Sequence, residues 1–177
     1  MLTVRALRNG ALVASKNLLI PRRKEKSFED FRENMPKQFE NFGISFLYPD
    51  NWSCDEEPES QTVMVESPEG AFLAISQLSD EDSDPIVQAK QAMEADYDEI
   101  EEEKYERAVG DSNLQGVTLS FVYLDLIVTS HLLLWERDAD EATYFIQIQA
   151  EDRDMAKLES VFDAILSSIL HDAGACP

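Results

Sequence analysis

Between residues 44 and 170 the apolar positions alternate between a period of two and a helical period. Ile44 to Tyr48 is a short apolar run closed by Pro49-Asp50-Asn51. Thr62 to Glu66 and Ala71 to Leu78 are two further β runs, joined by Ser67-Pro68-Glu69-Gly70, a loop of hairpin size built from turn residues. Asp84 and Pro85 then mark a helix start, because proline suits the first helical position and an aspartate side chain accepts from the free N–H groups there. Ile86, Ala89, Met93, Tyr97 and Ile100 make the apolar stripe of that helix. Four β segments follow. Tyr105 to Val109 is the first; Val117, Leu119, Phe121 and Tyr123 line one face of the second; Ile127 to Trp135 is the third; Tyr144, Ile146, Ile148 and Ala150 line one face of the fourth. The turn between the second and third falls near Asp125 and contains neither glycine nor proline. Leu158, Val161, Phe162, Ile165, Leu166 and Ile169 form one broad face of a last helix, with Asp152 or Asp154 to cap it and Gly174 beyond its end.

The order is three strands, a helix, four strands and a helix. Hairpin-linked strands around one helix and before another predict an α+β fold, a mainly antiparallel sheet of about six or seven strands sandwiched by helices. No internal repeat and no linker rich in glycine or proline divides it, so residues 35–177 read as a single domain.

Phe46-Leu47-Tyr48-Pro49-Asp50-Asn51-Trp52 resembles the F-x-Y-P-x-x-W opening of the PsbP/Mog/DcrB-like superfamily, and the order of elements across residues 42–170 is similar to it. That superfamily includes extrinsic photosystem II subunits, a Ran-binding import factor, DcrB-like bacterial proteins and Eag-type secretion chaperones. The resemblance implies accessory or chaperone-like binding roles and carries over no catalytic residue. Phe46, Tyr48, Pro49 and Trp52 are the motif positions, with a structural role. The chain departs from the secreted branches in having no signal peptide or lipobox cysteine, and a cytoplasmic setting is expected.

Charge narrows the partners. Among 177 residues, 15 Lys and Arg stand against 36 Asp and Glu, a net charge of −21. Such a surface repels a phosphate backbone or an anionic bilayer, so nucleic acid is excluded as an expected partner. The apolar stretch from Gly116 to Trp135 is long enough to span a bilayer, but Asp125 would fall near the midplane and the alternation of Thr and Ser with apolar residues describes strands. No membrane span is expected. Residues 1–34 carry 8 basic and 4 acidic groups, whereas residues 35–177 carry 7 and 32. This change of sign marks residues 1–34 as a basic N-terminal extension, with three readings: a targeting peptide, upstream residues before a true start at Met35, or an appended hairpin cued by Asn9-Gly10.

Candidate chemistry is sparse. Ser130 and His131 are strand neighbours whose side chains point to opposite faces, so they form no dyad, and His131 reads as a half-buried structural residue beside Thr129, Leu133 and Trp135. Cys54 and Cys176 make neither a disulfide framework nor a zinc site. Asp80, Asp82 and Asp84 have the spacing that opens a Ca²⁺ loop, but Pro85 stands where glycine is needed and Gln91 where a bidentate glutamate is needed. No metal and no cofactor is assigned. Between Ser79 and Lys104 there are 11 acids and 2 lysines, placed by this reading mostly on the exposed side of the first helix and in its flanking loops. Asp80, Glu81, Asp82, Asp84, Glu94, Asp98 and Glu102 are the candidate partner-binding residues, a steering surface for a basic protein. Tyr48, Trp52 and Tyr105 read as core plugs or ligand stackers. The function expected is a non-catalytic accessory or chaperone-like protein-binding domain, with a homodimer among the arrangements considered. The alternatives are a small hydrolase and a weak divalent-cation binder.

Overall fold

The structure is a computed structural model and describes residues 3–6, 12–15, 35–79, 84–110, 112–137 and 141–172. Its strands are β1 (Thr3–Ala6), β2 (Leu12–Ser15), β3 (Lys37–Asn41), β4 (Ile44–Tyr48), β5 (Ser53–Glu57), β6 (Thr62–Glu66) and β7 (Phe72–Gln77), then β8 (Glu101–Val109), β9 (Ser112–Tyr123), β10 (Leu126–Arg137) and β11 (Ala142–Glu151). The helices are α1 (Pro85–Asp96) and α2 (Asp152–Asp172). Seven strands form one sheet in the order β5-β6-β7-β11-β10-β9-β8, and every neighbouring pair is antiparallel. The expected α+β architecture is therefore the observed one. β3 and β4 make a separate hairpin, and β1 pairs with β2. The Asn9-Gly10 turn itself lies outside the described residues.

Strand alternation gives the sheet two unlike faces. On one face Ile146, Ile148, Leu133, Trp135, Val63 and Leu73 meet Phe162, Ile165, Leu166 and Ile169 of α2 and Phe39, Ile44 and Phe46 of the β3–β4 hairpin. The backbone of β4 runs against α2, where the Leu47 N–H donates to Ser168 Oγ at 3.0 Å. On the opposite face Ala89 and Met93 of α1 pack on Leu119, Phe121, Val128, Leu132 and Phe145. The periodicity of α2 is thus realised residue for residue. Its start differs: Asp152 is the first helical residue, directly after Glu151 of β11, so Asp152 and Asp154 stand in the first turn rather than before it.

Three expectations need correction. α1 ends at Asp96, and the Tyr97 N–H caps it by donating to the Met93 carbonyl at 2.9 Å. Tyr97 and Ile100 lie beyond the helix yet reach the same apolar cluster, because the chain folds back over the sheet. The β segment read from Tyr105 begins instead at Glu101, so Glu101, Glu102 and Glu103 belong to an edge strand and not to a loop. β5 at the other edge was not foreseen, since Asp55, Glu56 and Glu57 give it no apolar alternation. Both placements have one physical reason. An edge strand pairs on one side only, and charged side chains there block pairing with another chain.

Candidate functional site: an acid-rimmed apolar groove

The residues singled out in the sequence separate into distinct roles. Phe46 and Tyr48 point into the core, the Pro49 carbonyl accepts from the Trp52 N–H at 3.0 Å, and Trp52 meets Phe162 edge-on with ring centroids 5.7 Å apart. The motif is a turn that drives an aromatic plug under α2. Asp84 caps α1, its Oδ1 accepting from the N–H groups of Ile86 at 3.0 Å and Val87 at 3.3 Å. Glu94 and Glu102 both lie against Lys90, which joins the exposed side of α1 to the β8 edge. Asp80, Glu81 and Asp82 lie outside the described residues. Of the four described acids in this set, Asp98 lines a concavity.

That concavity is a groove of about 710 Å³ formed by the segment from Asp96 to Glu101 and by the tip of the β9–β10 hairpin, Ser120 to Leu124 with Ile127. Its acids are Asp96, Asp98, Glu99 and Glu101, and among the described residues no basic side chain lines it. Its apolar surface comes from an exception to the burial rule. Val122, Leu124 and Ile127 are 63, 64 and 57% exposed, and Val122 and Ile127 sit directly opposite each other in the β9–β10 ladder. On the opposite face of the same strands Tyr97 stacks on Phe121 with centroids 4.1 Å apart and meets Tyr123 edge-on at 5.8 Å.

The turn at the tip explains why no glycine marks it. Tyr123 pairs with Leu126, so the turn has two residues, and Leu124 and Asp125 hold φ values of 49° and 62°. Positive φ at both positions is the type I′ turn, whose twist matches that of the strands it joins, and asparagine or glycine is its usual occupant. Leucine there pays about 1–2 kcal/mol for a left-handed conformation. The signal in the sequence was this leucine: an apolar residue at a turn centre, flanked by apolar residues on the outward phase of both strands.

A second polar cluster sits under α2. Tyr105 lies flat on His131, with centroids 4.0 Å apart and ring planes 10° apart, and His131 Nδ1 shares a 2.8 Å hydrogen bond with Thr118 Oγ1. Burial and the nearby Arg107 cation lower the His131 pKa to about 4, so the ring is neutral at pH 7. Arg107 is itself buried; its Nη2 and Nε donate to Asp163 Oδ1 at 2.8 and 3.0 Å, and Nη2 also donates to the Glu159 carbonyl at 3.2 Å. These bonds tie the edge strand β8 to α2. The histidine is more buried than the half-buried ring expected from the sequence, and its face is the expected one. Among the described residues no group of His, Cys, Asp and Glu is arranged to hold a metal ion.

No protein-family model matches the sequence, and no curated protein does either. Solved structures do. The chain is similar to the cyanobacterial PsbP protein CyanoP of Synechocystis, at 13% identity over 81% of this chain and 96% of that one, with a TM-score of 0.49. It is similar to the Ran-binding protein Mog1p of Saccharomyces cerevisiae, at 14% identity over 77% and 87%, with a TM-score of 0.46. A Pseudomonas aeruginosa protein of unknown function is similar at 12% identity over 76% and 95%, with a TM-score of 0.44. The architecture read from this chain's own elements is α+β, an antiparallel seven-stranded sheet with α1 and α2 packed on it. At these identities the likeness concerns the arrangement of elements and carries no binding residue across.

Proposed function

We propose that the protein is a non-catalytic binding domain whose binding face is the groove at the β9–β10 hairpin tip. The observation that carries this reading is the cluster of Val122, Leu124 and Ile127, three large apolar side chains left in water at one place on an otherwise strongly acidic surface. Clustered apolar exposure of this kind costs solubility and marks a docking surface. The strained leucine adds to it, since a cheaper turn residue would serve the fold alone.

The partner is a basic protein, in keeping with the four acids around the groove. Glu94 and Glu102 hold Lys90, so they contribute to the long-range field and not to direct contact. A sheet-edge homodimer is opposed by the acids on β5 and β8. Among the described residues no helix is long and apolar enough to cross a membrane. A cytoplasmic setting is in keeping with the free thiol of Cys54, and fractionation of the native source tests it.

The test compares two full-length baits in extract from the native source, the wild type and Val122→Ser/Leu124→Asn/Ile127→Thr. A protein retained by the first and lost by the second, with retention falling as salt rises, supports the reading. Equal retention by both baits contradicts it.

A further inference from the structure

The backbone geometry of the groove indicates how a partner is held. In the β8–β9 hairpin, Val109 pairs with Ser112, and the register continues by twos to Glu101 opposite Ser120, where the ladder ends. A pair flanking a two-residue turn exchanges both hydrogen bonds, and such pairs recur at every second residue. The even-numbered residues of β9 therefore turn their N–H and C=O groups toward β8, and the odd-numbered ones, from Tyr123 opposite Leu126, turn theirs toward β10. Val122 is the next even residue after the ladder has ended. The position that would face it on β8 is Glu99, which has left the extended conformation with φ at 54°. β9 thus runs past its neighbour and offers the backbone of Val122 on the floor of a groove lined by Asp98, Glu99 and Glu101.

We propose that this groove takes an extended, basic segment of a partner protein, which pairs its backbone with Val122 in the place that β8 leaves open. Alternate side chains of an extended segment point to opposite sides. One set lies on the face of Val122 and Ile127, where it meets that apolar pair and reaches Glu101, which shares the face through its partner Ser120, and the other carries Lys or Arg to Asp98 and Glu99. This is strand addition over a short stretch: main-chain bonds fix direction and register, and the acids and the apolar tip select the sequence. It rests on the reading of the hairpin tip as the binding face and adds the conformation and chemistry of the occupant.

The probe is a short end-capped peptide of alternating lysine and valine, titrated into the isotopically labelled full chain and followed by amide chemical shifts. Three companions isolate the terms: the same peptide with its central amides N-methylated, its glutamate-for-lysine counterpart, and the Leu124→Asn chain. The expected result is a set of shifts confined to residues 96–101 and 120–127, largest at the Val122 amide. N-methylation should weaken binding about tenfold or more, because a lost main-chain bond and its steric clash together exceed about 1.4 kcal/mol. The glutamate peptide should not bind. If the N-methylated peptide binds at the same place with equal affinity, strand addition is overturned while the binding face stands. If the glutamate peptide binds as well as the lysine peptide, the basic character of the occupant is overturned. Shifts elsewhere, or no binding together with concentration-dependent shifts at the hairpin tip from self-association, overturn the inference in favour of another face or a second copy.

Discussion

Tyr105 of the edge strand β8 lies flat on His131 of β10, two strands away, with the ring planes 10° apart. β9 lies between them, and Gly116 stands directly opposite Tyr105 in the β8–β9 ladder. The imidazole is held neutral, and that has a consequence in pH. Its pKa falls from an ordinary 6.5 to about 4 in the folded chain, so the unfolded chain binds the proton more readily between those values. The contribution is fully present above pH 6.5 and is lost as pH falls toward 4, amounting to about 3 kcal/mol over the window. Urea unfolding at pH 7 and at pH 4.5 should show this loss, and His131→Gln should remove a large part of the slope. An unchanged slope in the variant would place the acid sensitivity elsewhere.

Leu124→Asn should separate stability from binding. Asparagine relieves the left-handed leucine and suits a type I′ turn, so the variant gains about 1 kcal/mol in denaturant unfolding. It also removes an exposed apolar contact and weakens partner binding. A variant that loses stability would show that the leucine side chain supports the fold.

Phe162 and Ile165 lie at the centre of the α2–sheet interface, both almost wholly buried, with Phe162 against Trp52. Phe162→Ala should cost about 3–5 kcal/mol and Ile165→Ala about 2–5 kcal/mol, the range for large cavities in a core. Losses below about 1 kcal/mol would mean that α2 does not seal this face.

Residues 1–34 are proposed as an extension to the domain. A chain beginning at Met35 should keep cooperative unfolding, because it retains every described residue of the two large apolar clusters. β2 runs beside α1, and a loss of more than about 2 kcal/mol on truncation would make the β1–β2 pair part of the domain.

Strands with a buried face were legible because the alternation of Val117, Leu119, Phe121 and Tyr123, or of Tyr144, Ile146 and Ile148, records which side meets a helix. α2 was legible for the same reason at period 3.6. Edge strands were not. Ser53–Glu57 and the first half of β8 put acids on a surface that needs no apolar partner, so they read as loops. The acidic run was visible as a charge count, but pairing divided it among a helix cap at Asp84, two partners of Lys90 and a groove containing Asp98. The groove was hidden because it depends on where β8 stops beside β9, which is a matter of register. Its one local trace was Leu124 in a turn that lacks glycine.

The most direct measurement is the association rate of a basic partner, or of the lysine–valine peptide, as a function of salt for the wild type and for Asp98→Lys/Glu99→Lys/Glu101→Lys. The screening length falls from about 8 Å at 0.15 M to about 3 Å at 1 M, so wild-type association should slow steeply across that range while dissociation changes little. The reversed chain should associate slowly with a flat or inverted salt dependence. Equal association rates for the two chains at every salt concentration would contradict the account, because the acids of the groove would then have no part in meeting the partner.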